Sequence, residues 1–214
     1  MSSDCACPLC GSVIIHDFYQ GSDRDYLICD CCALIFVPPK FHLTAEQERQ
    51  RYDLHQNSPD DARYRDFLNR LLKPLVVQLK SGSKGFVFAS GPAPTLSLML
   101  QEQGFSMSVY DLYYANNSDV LSQHYDFLCC TEALEHFASP NHEWQLFLSM
   151  VKNGGWIAIM TSMYDTVASF SDWYYKNDLT HICFYSRKTF QWLAQRDGLH
   201  VQIESDSVIL FRMR

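Results

Sequence analysis

The segment from Gly85 to Asp111 constrains the fold of this chain more than any other. GFVFAS (85–90) is a short apolar run with the length and flanks of a buried parallel strand. GPAP (91–94) is a tight turn. TLSLMLQEQG (95–104) reads as a helix that Thr95 is placed to cap and Gly104 to end. FSMSVYD (105–111) is a second strand, closing on an acid 20 positions after Gly91. In doubly wound α/β sheets the first turn and the tip of the second strand meet at the carboxyl edge, where a carboxylate accepts hydrogen bonds from ribose hydroxyls. The layout predicts an adenosine-containing ligand at that edge.

The turn narrows the choice of ligand. A dinucleotide site uses G-x-G-x-x-G so that backbone amides reach a pyrophosphate. Here Ala89, Ser90, Gly91 and Ala93 keep one glycine of the three, and Pro92 and Pro94 supply no amide donor. S-adenosylmethionine carries no phosphate and asks only that backbone pass close beneath it.

HYDFLCCTEALEHF (124–137) follows, with a buried-strand pattern over Tyr125–Cys130 and Thr131, Glu132, Glu135 and His136 beyond its carboxyl end. NGGWIAIMTSMY (153–164) adds a Gly-Gly turn and another apolar strand. With these strings the chain resembles the class I S-adenosylmethionine-dependent methyltransferases over residues 60 to 214. DLTHICFYSRKTFQWLA (178–194) is similar to a late segment of a bacterial subgroup whose members carry an N-terminal zinc-binding knuckle pair. The resemblance implies an α/β fold with a Rossmann-like, doubly wound, seven-stranded sheet, finished here by antiparallel strands in LHVQIESDSVILFRMR (199–214). It also implies cofactor contacts from Ala89, Ser90, Gly91, Ala93, Asp111, Leu112, Thr131 and Glu132. Three family positions differ: an acid is replaced by Val87, and two glycines by Ala89 and Ala93.

The knuckle pair is present. Cys7-Pro-Leu-Cys10 and Cys29-Asp-Cys31-Cys32 are two C-x-x-C units with 18 residues between them. Such pairs bring four thiolates onto one tetrahedral zinc, which is then structural because no coordination position stays open. Cys7, Cys10, Cys29 and Cys32 are the expected ligands, with Cys5 and Cys31 as neighbours able to substitute. Free thiols and disulfides are the alternatives; MSSDCACPLC shows no basic-then-apolar leader, which favours reduced cysteines and a cytoplasmic protein.

Three segments follow: a ribbon (1–40), a helical bridge or lid (41–82) and the methyltransferase core (83–214). The bridge holds a helix capped by Thr44, then an amphipathic stripe from Tyr64 to Leu79 that Pro74 should kink. Tyr52, His55, Asn57 and Tyr64 are candidates to close over the cofactor, or in the blander reading are packing and surface residues.

Methyl transfer is an in-line displacement that needs the acceptor aligned and, for a hydroxyl or carbon acid, a proton removed. His181, His136 and Glu132 are the candidates. Trp173, Tyr174, Tyr175, Phe184 and Tyr185 either wall the acceptor or fill the core. The formal net charge of −7, without a basic cluster, argues against nucleic acid. No apolar run reaches the ~20 residues of a membrane span. The expected partner is therefore a small-molecule acceptor, at no predictable oligomeric state. A non-catalytic interaction module on the same fold is the competing reading. The two differ in whether a cavity opens beside Asp111, lined by Glu132 and His181.

Overall fold

The computed structural model describes residues 5–54 and 58–214. The elements in chain order are β1 (Ile15–Gln20), β2 (Asp25–Cys29), β3 (Ile35–Phe36), α1 (Ala45–Tyr52), α2 (Ala62–Val76), β4 (Lys84–Phe88), α3 (Thr95–Glu102) and β5 (Ser106–Tyr110). They continue with β6 (Tyr125–Thr131), α4 (Pro140–Met150), β7 (Val151–Met160), β8 (Cys183–Phe184), α5 (Arg187–Asp197), β9 (His200–Ile203) and β10 (Val208–Arg212).

The central sheet runs β5-β4-β6-β7-β10-β9. Its first four strands pair in parallel, and β10 runs antiparallel to both neighbours. The α/β class and terminal antiparallel pair are as expected. The sheet has six strands among the described residues instead of seven. The reason is chain length. Only residues 111–124 separate β5 from β6, and they form an Asp111–Ala115 bridge and a 3-10 turn over Ser118–Ser122. A parallel crossover alone takes a dozen residues, which leaves nothing for another strand.

Period-two alternation divides each strand between two cores. On β7, Trp156, Ala158 and Met160 pack with Leu68, Leu71, Leu72 and Leu75 of α2, while Ile157 and Ile159 join the opposite cluster. That opposite cluster also takes Trp144 and Phe147 of α4 together with Leu9, Leu27, Leu34 and Phe36 of the N-terminal ribbon. The ribbon thus shares its core with the sheet.

Local signals explain most helix ends. Thr44 and Ser186 form capping boxes, and Gly198 ends α5 at φ 68°. α2 stops two residues beyond Pro74. Thr95 does not cap α3: Pro94 is the N-cap and Thr95 the first helical residue, so the side chain sits inside the turn it was expected to close. α4 escapes the sequence reading, although Pro140 at its first turn and buried Trp144, Phe147 and Met150 carry the signal. The Gly154-Gly155 pair makes an excursion within β7, where pairing jumps from Tyr125–Val151 to Phe127–Trp156.

Two features join ribbon to core. Strand β8, from the far end of the chain, completes the ribbon's sheet in the order β1-β2-β3-β8, with Ile35 opposite Phe184 and Phe36 opposite Cys183. Arg24, in the β1–β2 connection, is 4% exposed. Its guanidinium donates to the carbonyls of Lys176 (2.6 Å), Asp178 (2.7 Å) and Leu179 (3.0 Å) and to Tyr26 Oη (3.0 Å). A charged donor set buried on backbone carbonyls is worth about 1.5–3 kcal/mol per bond before coupling, and the orphaned acceptors add to the loss. We expect Arg24→Ala to lower unfolding free energy by about 2–4 kcal/mol, measured by urea titration, and Arg24→Lys to recover only part of it, since one ammonium cannot span the same fork.

Candidate active site

β4 and β5 deliver the turn and the acid to one point. After Phe88 the chain takes Ala89 at φ 54° and Gly91 at φ 65°. Ala89 holds the left-handed conformation a glycine would take freely, at about 1–2 kcal/mol. Gly91 N–H donates to Asp111 Oδ2 at 2.8 Å, and Asp111 Oδ1 accepts from Tyr113 N (2.9 Å) and Tyr114 N (3.1 Å). The carboxylate is 7% exposed. Of its roughly four lone-pair positions, backbone occupies three, and the remaining one is on Oδ2.

A cavity of about 960 Å³ opens beside it. Its floor is Ala89, Ser90, Gly91, Asp111, Leu112, Thr131 and Glu132; Glu48, Arg51 and Tyr52 of α1 and Tyr64 and Phe67 of α2 face them. His136, Tyr175, Asp178 and His181 form the far wall. The expected site residues therefore meet at one cavity, with one departure. Ala93 does not line it; its carbonyl accepts from Thr95 N–H at 2.8 Å, in the turn just ahead of α3. Val87 is buried on the α2–α3 side of the sheet. Tyr52 and Tyr64 reach the cavity, whereas His55 and Asn57 lie outside the described residues. The aromatic group divides: Trp173, Phe184 and Tyr185 are core, while Tyr174 and Tyr175 line the cavity.

The far wall is built on Glu135, which is 1% exposed. Its Oε2 accepts from Thr161 Oγ1 (2.9 Å), its Oε1 from Tyr175 Oη (2.5 Å), and its carbonyl from Ile182 N (2.7 Å). Tyr175 Oη also lies 3.4 Å from Glu132 Oε2. Glu132 leaves β6 at φ 48°, pinned by its N–H to Met160 O at 2.7 Å. Burial, reinforced by the nearby Glu135, pushes its carboxyl up to about 8, so it is largely protonated at neutral pH.

The two imidazoles come from distant segments. His136 Nδ1 lies 3.1 Å from Thr180 O and His181 Nδ1 lies 2.7 Å from Tyr175 O. A carbonyl only accepts, so both Nδ1 atoms carry a hydrogen, and in the neutral form of each ring the lone pair is on Nε2. The rings are 4.8 Å apart. Burial lowers the pKa of His181 and keeps it neutral. Burial alone would raise Asp178, yet hydrogen bonds from Thr180 and the charge of Arg51 hold it at about 2. Glu48, Arg51, Tyr113, Tyr114 and Asp178 are lining residues that sequence reasoning missed; the tyrosine pair that starts two residues after Asp111 was the available clue.

The cysteines form a separate centre. Cys7 and Cys32 Sγ are 3.5 Å apart, Cys10 and Cys29 Sγ 3.4 Å, and all four lie within 4.8 Å of one another. A tetrahedron of thiolates at ~2.3 Å from zinc has edges of about 3.8 Å, so the set fits that ion. The two knuckles repeat one backbone pattern: Gly11 N–H donates to Cys7 O at 2.9 Å and Ala33 N–H to Cys29 O at 2.8 Å, both donors at positive φ. The hydrogen bond from Cys32 lowers the Cys7 thiol below its ordinary value. Cys5 and Cys31 stand outside the cluster, and Cys31 is exposed.

The model of a methyltransferase-domain family matches residues 54–203. No curated protein matches the sequence. Among solved structures, magnesium protoporphyrin IX methyltransferase from Synechocystis PCC 6803 with bound S-adenosylmethionine superposes with TM-score 0.53 at 10% identity, covering 80% of this chain and 92% of that one. An O-methyltransferase family protein from Burkholderia thailandensis gives TM-score 0.51 at 17% identity over 80% of this chain, which spans 64% of that protein. These likenesses establish the fold. Among the described residues no helix is long and apolar enough to cross a membrane.

Glu132 generates a pH signature. Its folded pKa of about 8 stands above the ordinary 4.5, so between those values the folded protein binds more protons than the unfolded chain. Stability attributable to this group therefore falls as pH rises from 4.5 to 8. Glu132→Gln should flatten that part of the melting-temperature profile and leave a variant more stable than the parent above the window, checked by calorimetric melting across pH.

Proposed function

The chain belongs to the methyltransferase-domain family, and we propose that it transfers a methyl group from S-adenosylmethionine to a small-molecule acceptor in the cavity beside Asp111. The observation that carries this is the Gly91–Asp111 hydrogen bond at the cavity floor. It joins the β4 turn to the β5 acid in the arrangement that receives a ribose at the carboxyl edge of a doubly wound sheet. Asp111 takes a ribose hydroxyl through its open Oδ2 lone pair. Ala89, Ser90 and Gly91 pass under the methionine portion, Leu112 flanks the base, and Thr131 and Glu132 face the sulfonium. Glu132, protonated, acts as a donor. The acceptor's proton leaves toward the His136–His181 wall, whose Nε2 atoms carry lone pairs.

The volume holds the cofactor with a small acceptor beside it. The lining charges set the acceptor's character. Glu48, Asp111 and Asp178 are set against Arg51, and Arg51 is engaged by Asp178 at 3.3 Å. A neutral or cationic acceptor suits that wall better than a phosphate-bearing one, and the net charge of −7 points away from nucleic acid. The open cavity favours the enzyme over a non-catalytic module, since a retired site would fill with side chains. The cysteine centre takes a structural zinc, in a protein whose reduced thiols suit the cytoplasm.

Calorimetric titration of S-adenosylmethionine and S-adenosylhomocysteine tests the reading. We expect micromolar binding. Asp111→Ala should weaken it by about 100-fold or more through loss of a charge-assisted bond and of the turn it anchors, and Asp111→Asn, which keeps an acceptor for the Tyr113 and Tyr114 amides, by less. Folded protein that binds neither compound would favour the non-catalytic module. For zinc, metal analysis after dialysis against EDTA should find one ion per chain in the parent and none in Cys29→Ser/Cys32→Ser.

A further inference from the structure

We propose that Glu135, His136 and His181 form a second metal site, open to the cavity, for a divalent first-row transition cation. One carboxylate oxygen and one nitrogen from each imidazole lie within 4.8 Å of one another. The hydrogen bonding around them is that of ligands. Each histidine spends its Nδ1 hydrogen on a backbone carbonyl, Thr180 O for His136 and Tyr175 O for His181. Such a bond fixes the tautomer and orientation of metal-bound histidines and leaves Nε2 free to coordinate. Glu135 is fixed from behind by Thr161 and Tyr175, one donor to each oxygen, and each oxygen keeps a lone pair.

Electrostatics favours a cation among these atoms. His136 Nε2 and Glu135 Oε1 are 4.0 Å apart. With His136 neutral both atoms are acceptors, and a cation between them meets two lone pairs at once. Two ligands on one metal, each at ~2.1 Å, are about 3–3.4 Å apart when adjacent. The cluster closes on an ion by shifts of under about an ångström in side chains that already face one another.

Donor chemistry selects the ion. Two imidazoles and one carboxylate suit zinc, iron(II), cobalt(II) or manganese(II), whereas magnesium and calcium prefer all-oxygen shells. Three protein ligands leave coordination positions open, and all three residues line the cavity, so those positions face the space given to the acceptor. An acceptor bearing an oxygen or nitrogen donor would bind there, and an ionisable hydroxyl on the metal loses its proton more readily than in water; with the cation bound, the Nε2 lone pairs hold it and the acceptor's proton passes to solvent instead of to the histidines. That use rests on the methyl-transfer reading; cation binding itself does not.

The test is cobalt(II) titration of full-length protein that has been dialysed against EDTA and retains its cysteine-bound metal, with no S-adenosylmethionine present. The expected result is one further cobalt per chain, with visible d–d bands of nitrogen and oxygen ligation and no thiolate charge-transfer band. His181→Asn and Glu135→Gln should each weaken that binding by about 100-fold or more, with the cysteine-bound metal retained. If either variant fails to fold by circular dichroism, His136→Asn takes its place. No cobalt beyond the cysteine centre overturns the proposal. So does cobalt that enters only with the thiolate band and zinc release, or binding that the variants leave unchanged. Because the readout excludes the methyl donor, failure here is distinct from failure to bind S-adenosylmethionine.

Discussion

A single buried guanidinium holds the far wall of the cavity in place. Among the described residues Arg24 has no carboxylate partner; its charge is met by three carbonyls of the 176–179 loop and a tyrosine hydroxyl. Isolated charges in an apolar interior are strongly unfavourable unless fully hydrogen bonded, so the loop and the arginine have one joint solution. Asp178 and His181 belong to that loop or follow directly on it. Their positions are thus set by a residue more than 150 positions earlier, and the ribbon serves as scaffold for the far wall of the cavity.

The cavity floor rests on a different constraint, the backbone conformation at two strand ends. Ala89 and Glu132 both leave their strands with positive φ, and both are held by what surrounds them. Ala89 leads into the Gly91–Asp111 bond. Glu132 is pinned to Met160. Side-chain-bearing residues persist in that region only when neighbours over-determine them, a common condition where a site is being shaped. The extra methyl at Ala89 is therefore compatible with the turn, and its effect falls on how closely backbone approaches a ligand.

Much of this was legible in the chain itself. The unit from Gly85 to Asp111 reads correctly as strand, turn, helix and strand because each element carries its own local signal, and the two C-x-x-C pairs carry their geometry in their spacing. What was hidden is mostly non-local. The count of six strands depends on how residues 111–124 are spent, and they are spent on a bridge and a short turn. Thr95 looked like a cap because capping residues and first-turn residues differ by one position. The Glu135, His136 and His181 cluster joins segments about 45 residues apart, and no periodicity reports such a meeting. Arg24 looks like an ordinary turn residue until its burial is seen.

The placement of β8 bears on how this molecule can be cut or inherited. The strand belongs by sequence to the catalytic half, yet its pairing partner is β3 of the ribbon. Clipping the chain near Pro39 would leave β8 without its edge, turn the Phe184 cluster toward water and discard Arg24 along with the cysteines. The shorter product would not be a minimal enzyme. For the same reason a recombination event that grafted this ribbon onto another core would have to carry residues 176–185 with it. The two halves, distant in sequence, form one heritable unit.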